Sequence, residues 1–190
     1  MIDRIHALDS IRSAFAAHSA VALAGPRQCG KTTLARLIAG TEKRCTFFDL
    51  ERAADRRRLE APEQALSELE GLVVIDEIQR QPALFETLRV LLDRPDHKTR
   101  FLLLGSASPS LIKGVSESLA GRVGLVDLGP FHLQETGATS WRDLWHRGGF
   151  PRSFLASSDE SSATWRESFI RTFLERDIPQ FGITIPAETL

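Results

Sequence analysis

Apolar positions along the chain alternate between two kinds of pattern, short unbroken runs and stripes at helical spacing. The runs are AVALA (Ala20–Ala24), CTFFDL (Cys45–Leu50), LVVID (Leu72–Asp76), FLLLG (Phe101–Gly105) and VGLVDL (Val123–Leu128). Runs this short, without polar alternation, predict parallel strands buried on both faces. Between them, Leu34 and Ile38 share one helical face. A second face carries Ala65, Leu66 and Leu69, with Pro62 in its first turn and Gly71 as its stop. A third repeats Leu84, Leu88 and Leu91, widened by Phe85 and Leu92. This alternation specifies an α/β fold of three layers around a mostly parallel five-stranded sheet, with ligand loops at the carboxyl ends of the strands.

After about Pro130 the character changes. Gly137, Gly148, Gly149 and Pro151, with the serines 157, 158, 161 and 162, separate two shorter helical patterns. The second sets Trp165, Phe169, Ile170, Phe173 and Leu174 on one broad face. The expected organisation is a core over 1–130 and a helical appendage over 131–190, with Trp141, Trp145 and Trp165 in the appendage's own core. The closing QFGITIPAETL reads as a connection, so the chain is expected to be a piece of something longer.

Composition narrows the function classes. The 190 residues hold 24 Lys+Arg against 25 Asp+Glu, a net charge of −1, and 42% are hydrophobic. That supports a packed core and gives no general attraction to nucleic acid or an anionic membrane. No apolar run reaches the ~18 residues of a membrane span, and the opening MIDRIHALDSIRSAF mixes charges into its apolar residues. Cys29 and Cys45 are too few for a disulfide framework or a zinc cluster, so a reducing cytoplasm is expected. Arg56, Arg57 and Arg58 are flanked by Asp55 and Glu60 with no interleaved aromatics, the pattern of a solvated helix face. His6, His18, His97, His132 and His146 lack metal-ligand spacing.

The chemistry concentrates in GPRQCGKTT, Gly25–Thr33, which fits G-x-x-x-x-G-K-[ST] between a predicted strand and a predicted helix. Gly25 and Gly30 let the backbone curl so that the N–H groups of Pro26-Arg27-Gln28-Cys29-Gly30 and the following Lys31, proline excepted, point inward at a phosphate. The helix start adds positive partial charge. Lys31 is expected on the β- and γ-phosphate oxygens, the Thr32 hydroxyl on Mg2+, and Thr33 beside it. Cys29 fills a free position as a small packed residue. LVVIDE then ends an apolar strand in two carboxylates. Asp76 suits Mg2+, while Glu77 suits a water aimed at the γ-phosphate or, alternatively, a cap on the next helix. FLLLG runs into SASPS, where Ser106 or Ser108 either senses the γ-phosphate or caps the helix from Leu111. Arg122, before the fifth run, either neutralises charge on a transferred phosphoryl group or forms a surface ion pair.

GPRQCGKTTL, Asp49–Leu50, LVVIDEIQR, LLGSAS, SESLAGRV, GGFP (Gly148–Pro151) and LERDI (Leu174–Ile178) occur in this order. Together they resemble the AAA-type ATPase core of prokaryotic proteins that usually carry a C-terminal domain of unknown function. The resemblance implies a P-loop NTPase sheet of order 5-1-4-3-2 with ATP at the tips of strands one and three. It also implies a sensor at Ser106 and an arginine finger at Arg122, offered to a neighbouring copy. Leu104 stands where the family often has threonine, and the family's further C-terminal domain is expected to lie beyond this sequence. The leading expectation is Mg-dependent ATP hydrolysis that drives a conformational change in a partner or attached domain. A nucleotide-dependent binding module with negligible hydrolysis is the alternative, and a small-molecule kinase is a weaker one, since Glu77 has no place in kinase chemistry.

Overall fold

The structure, a computed structural model, describes residues 2–95, 98–106 and 109–180. The chain divides into two compact units: Arg4–Pro26 with Lys31–Leu128, and the described residues from Gly129 onward with Arg27–Gly30 and the amino-terminal residues before Arg4.

The first unit holds five strands: β1 (Ala20–Gly25), β2 (Cys45–Asp49), β3 (Gly71–Asp76), β4 (Thr99–Ser106) and β5 (Val123–Asp127). All pair in parallel in the order β2-β3-β4-β1-β5, the implied 5-1-4-3-2 read from the other edge. The helices are α1 (Ile5–Ala17), α2 (Lys31–Ala39), α3 (Ala53–Arg58), α4 (Pro62–Ser67), α5 (Ala83–Leu92) and α6 (Pro109–Ser118). On one sheet face Ala20, Ala22, Val73, Ile75, Phe101 and Leu103 pack with Leu84, Phe85, Leu88 and Leu91 of α5 and Leu111 and Val115 of α6. The alternate residues of β1, β3 and β4 are buried as well, on the side where α1 and α2 lie. The three central strands are therefore covered on both faces, as their unbroken apolar runs require.

The edge strands depart from that expectation. In β5, Gly124 is buried against Ala14 and His18, whereas Leu125 on the opposite face is 68% exposed. In β2 only Phe48 is buried, and Cys45 is exposed. An edge strand has a neighbour on one side only, so the helical layers do not have to reach over it. Gly71 is a second correction. α4 ends at Ser67 with Glu68 as its cap, and Gly71 opens β3 at φ +85°. A side chain there would meet the Arg44 carbonyl oxygen at 2.4 Å, so the glycine serves the strand's close approach rather than a helix stop. The basic run of α3 is not simply solvated: Arg56 donates to the Leu50 and Glu51 carbonyls, and Arg58 pairs with Asp55 over the Phe48 ring.

The second unit is built from α7 (Leu133–Thr136), α8 (Trp141–Arg147), α9 (Pro151–Phe154) and α10 (Asp159–Thr172), which runs on into a π-helical turn at Phe173–Asp177. Ser158 caps α10 by accepting the Ser161 N–H. Trp165, Phe169 and Phe173 stack in succession, and Phe150 lies tilted against Trp165 and Phe169. Ser153 and Ser162, both fully buried, share a hydrogen bond, and Arg166 donates to the second at 2.7 Å. Phe131 N–H donates to the Gly149 carbonyl, and a Cβ on Gly149 would lie 2.1 Å from the Phe131 oxygen, which explains the glycine. Trp141 and Trp145 are not core residues: they stand one turn apart on α8, 53% and 88% exposed. α8 buries none of its seven residues, so its apolar stripe faces outward. Ile170 is also exposed, off the aromatic stack.

Candidate nucleotide site

Parallel pairing brings the ends of β1, β3 and β4 to one edge of the sheet, where Lys31 and Thr32 open the helix after β1, Asp76 ends β3 with Glu77 next to it, and Ser106 ends β4. The chain leaves β1 at Gly25 and enters α2 at Lys31. Between them Gln28 (φ 62°) and Gly30 (φ 102°) adopt left-handed backbone, the curl that turns successive N–H groups toward one point. For Gln28 that conformation costs about 1–2 kcal/mol. Cys29 is buried and Thr33 exposed.

The Lys31 side chain is 6% exposed, and its ammonium donates to the Gly25 and Pro26 carbonyls at 2.9 Å each. An ammonium has three protons. Two fix its direction against the loop, and one remains for an anionic oxygen. Thr32 Oγ1 donates to Asp76 Oδ2 at 2.7 Å, joining the first turn of α2 to the tip of β3. Asp76 is 5% exposed, and burial, reinforced by Asp49 opposite it in the β2–β3 register, pushes its carboxyl above the ordinary range against the pull of the Thr32 bond. Burial raises Glu77 too, against the attraction of Lys31. Two adjacent carboxylates in this state leave the tip of β3 short of positive charge. A threonine hydroxyl beside a carboxylate is a hard-oxygen donor set, which fits Mg2+ held by one or two protein oxygens and substrate phosphates. Among the described residues no group of three His, Cys, Asp or Glu could cage a metal by itself.

Glu77 has φ 56° and ψ 44°, left-handed for a non-glycine residue. It occupies the cap position of a 3-10 turn, Ile78–Arg80, but its carboxylate makes no capping bond. It accepts instead from the Gln79 amide, which also donates to Ser106 Oγ at 3.2 Å. Gln79 was not anticipated from sequence; the available signal was an amide two residues after the carboxylate in LVVIDEIQR. Ser106 is the last residue of β4 and pairs in register with Gly25. Ser108, the second sensor candidate, lies outside the described residues, as do His97 and residues 181–190 of the closing segment.

Two residues stand apart from this cluster. Arg27 lies 2.9 Å from Asp177 of the LERDI motif, a charge contact inside the second unit. Arg122 Nε and Nη2 fork onto the two Asp93 oxygens at 2.7 and 2.9 Å, and that bond holds the Asp93 carboxyl below its ordinary range. The ion-pair arrangement is thus the one the structure shows for Arg122.

A five-stranded parallel sheet in this order, with a phosphate-type loop after β1 and paired carboxylates after β3, defines the P-loop ATPase class. The chain belongs to the AAA domain family, whose model matches residues 17–137; residues 138–190 match a domain of unknown function, DUF8612. Uncharacterized proteins of Mycobacterium bovis and Mycobacterium tuberculosis are each 52% identical over all 190 residues. The chain spans 43% of the length of these curated relatives. Among solved structures, a Walker-type ATPase of Pyrococcus abyssi matches with a TM-score of 0.66 at 14% identity, over 95% of this chain and 75% of that one. RuvB of Thermotoga maritima matches with a TM-score of 0.51 at 21% identity, over 93% and 76%. At such identities these likenesses concern the fold. No helix among the described residues is long and apolar enough to cross a membrane.

Proposed function

We propose that the chain binds Mg-ATP at the β1, β3 and β4 tips and hydrolyses it to ADP and phosphate, and that this drives a conformational change in a partner or in a further part of the protein. The observation that carries the reading is the pairing of a buried, loop-anchored Lys31 ammonium with the Thr32–Asp76 hydrogen bond and a neighbouring, non-capping Glu77. Lys31 holds phosphate oxygens at the start of α2. Thr32 and Asp76 would hold Mg2+, which would supply neutralising charge to the phosphates. Glu77 orients a water and takes its proton as the water oxygen bonds to the γ-phosphorus and the bond to the bridging oxygen breaks. Ser106 lies beside the loop as a γ-phosphate contact. In this reading residues 1–130 are the ATPase core and 131–190 a helical appendage. Arg122 serves catalysis only from a second copy.

Phosphate release by wild type and Glu77→Gln is the test. The amide keeps the shape of the side chain and loses the base, so turnover should fall by about 10²–10⁴-fold while nucleotide affinity stays nearly constant. Equal turnover in the two proteins removes Glu77 from the chemistry. Nucleotide binding without phosphate release in wild type selects the binding-module alternative.

A further inference from the structure

Gln79 lies between the two groups that the ATPase reading places nearest the reacting water. It stands two residues after Glu77 in LVVIDEIQR, and its one amide meets both Glu77 and Ser106. The β3–β4 register ends at the pair Ile75–Leu103, leaving Glu77 on one side and Ser106 on the other beyond the last paired residues. The Gln79 side chain spans that gap. The 3-10 turn at Ile78–Arg80 folds the chain back, which lets an amide two residues after Glu77 reach its carboxylate. An amide nitrogen carries two protons, one for each acceptor.

A glycine confirms that the space is assigned. A Cβ on Gly105 would lie 2.5 Å from Gln79 Oε1 and 2.9 Å from Leu111 Cδ2. Gly105 has no positive φ, so its small size serves the amide lying over it rather than the backbone. Ser106, next along, is level with Gly25, where the phosphate loop begins. The amide therefore ties Glu77, whose left-handed backbone gives it an unusual exit from β3, to a residue beside the loop.

We propose that Gln79 is a positioning residue of the ATPase: its amide holds the Glu77 carboxylate at one angle and couples that angle to Ser106 at the edge of the phosphate loop. The proposal rests on the hydrolytic reading of Glu77. A hydrogen bond to a carboxylate is worth enough to set its orientation, and losing it should slow turnover at saturating Mg-ATP by about 10- to 100-fold.

The experiment compares wild type, Gln79→Ala, Gln79→Glu, Gly105→Ala and the double variant Glu77→Gln/Gln79→Ala. Phosphate release gives kcat and KM; a fluorescent ATP analogue gives Kd with Mg2+ present. The two Gln79 variants and Gly105→Ala, which pushes the amide aside without altering either acceptor, should lose kcat with Kd within about threefold of wild type. The double variant should be no slower than Glu77→Gln alone, because Gln79 acts through Glu77. Unchanged kcat in Gln79→Ala, losses that multiply in the double variant, or a Kd that rises in step with the fall in kcat would each overturn the proposal. A wild type that binds Mg-ATP and releases no phosphate overturns the hydrolytic reading and the catalytic role of Gln79 with it. The tether is then read separately in nucleotide-free protein. Gln79→Ala/Ser106→Ala should melt no lower than Gln79→Ala alone, and additive shifts would refute the tether.

Discussion

Lys31→Met removes the ammonium and keeps an unbranched stem of similar bulk in a site that is 6% exposed. In the free protein the change strips the donor from two carbonyls, Gly25 and Pro26, each bonded at 2.9 Å. Leaving buried acceptors without a partner costs about 1–3 kcal/mol, and relief of the buried charge offsets part of it. The informative quantity is therefore the ligand-induced shift, measured for each protein from its own baseline. A ligand that binds only the folded state, present at 100 times its dissociation constant, adds about 2.7 kcal/mol. For a chain of this size that corresponds to a rise of about 5–10 °C in melting temperature. In the proposed reading Lys31 is the buried cation on the phosphates, and the charge-assisted hydrogen bond made by its remaining proton, worth about 1.5–3 kcal/mol, disappears with it. With that one bond lost, affinity falls by roughly 10- to 100-fold, and the same ATP concentration then adds only about 0.4–1.4 kcal/mol, a rise of about 1–6 °C. The assay is thermal melting with Mg-ATP titrated over both proteins, with Mg2+ alone as control. Equal ATP-dependent shifts in wild type and Lys31→Met would refute the assignment of the phosphate site.

Asp76→Asn should raise the melting temperature of the nucleotide-free protein near neutral pH and abolish the Mg2+ dependence of nucleotide stabilisation, since Asn still accepts the Thr32 bond but carries no charge. The sign follows from burial, which raises the Asp76 carboxyl pKa in the folded state. Its contribution to stability is complete below the unfolded carboxyl pKa and is lost as pH rises through the folded one, so the gap between variant and wild type should close on acidification. A variant that melts lower than wild type at neutral pH contradicts this. Gly149→Ala forces a methyl to 2.1 Å from the Phe131 carbonyl oxygen and should cost at least about 1–3 kcal/mol in denaturant unfolding of the helical unit; an unchanged midpoint would mean the two backbones are not stitched there.

Much of this arrangement was legible from hydrophobic pattern, for a physical reason. The runs that became β1, β3 and β4 are apolar because helices cover both faces, and their polar terminal residues fall where the carboxyl edge meets solvent. VGLVDL looks the same in sequence, yet Leu125 is exposed, because an unbroken run does not say whether a strand has one neighbour or two. Trp141 and Trp145 show the same limit in a helix: their spacing identifies a stripe but not what covers it. The loop at Gly25–Thr33, Asp76 and Glu77 were readable because residue types suited to a phosphate and a metal stand there at fixed places after apolar runs. Gln79 was not, since its bond to Ser106, 27 residues away, arises from a turn of the chain.

Strand register decides how Arg122 can act. Val123 pairs with Ala20 and Asp127 with Ala24, so Arg122 precedes the amino end of β5 while the phosphate loop leaves the carboxyl end of β1. Five residues of strand at about 3.3 Å each separate those levels by roughly 17 Å, beyond the reach of one side chain. Within its own copy Arg122 therefore binds Asp93 and not the γ-phosphate. Any catalytic use requires a second copy, and in this copy the Asp93 fork takes the Nε–Nη2 edge while Nη1 donates to the Ala120 carbonyl at 3.2 Å, so the guanidinium is held toward Asp93. An arginine delivered in this way is worth about 10³–10⁵ in rate. Turnover per chain should then rise with protein concentration, and Asp93→Asn, which releases the guanidinium, should shift that rise to lower concentration. Mixing Arg122→Ala with Lys31→Met should recover activity absent from either alone, since mixed interfaces set an intact Arg122 against an intact phosphate loop. Flat specific activity across the concentration series, with no recovery on mixing, would assign Arg122 to the ion pair alone and leave hydrolysis to the residues of a single copy.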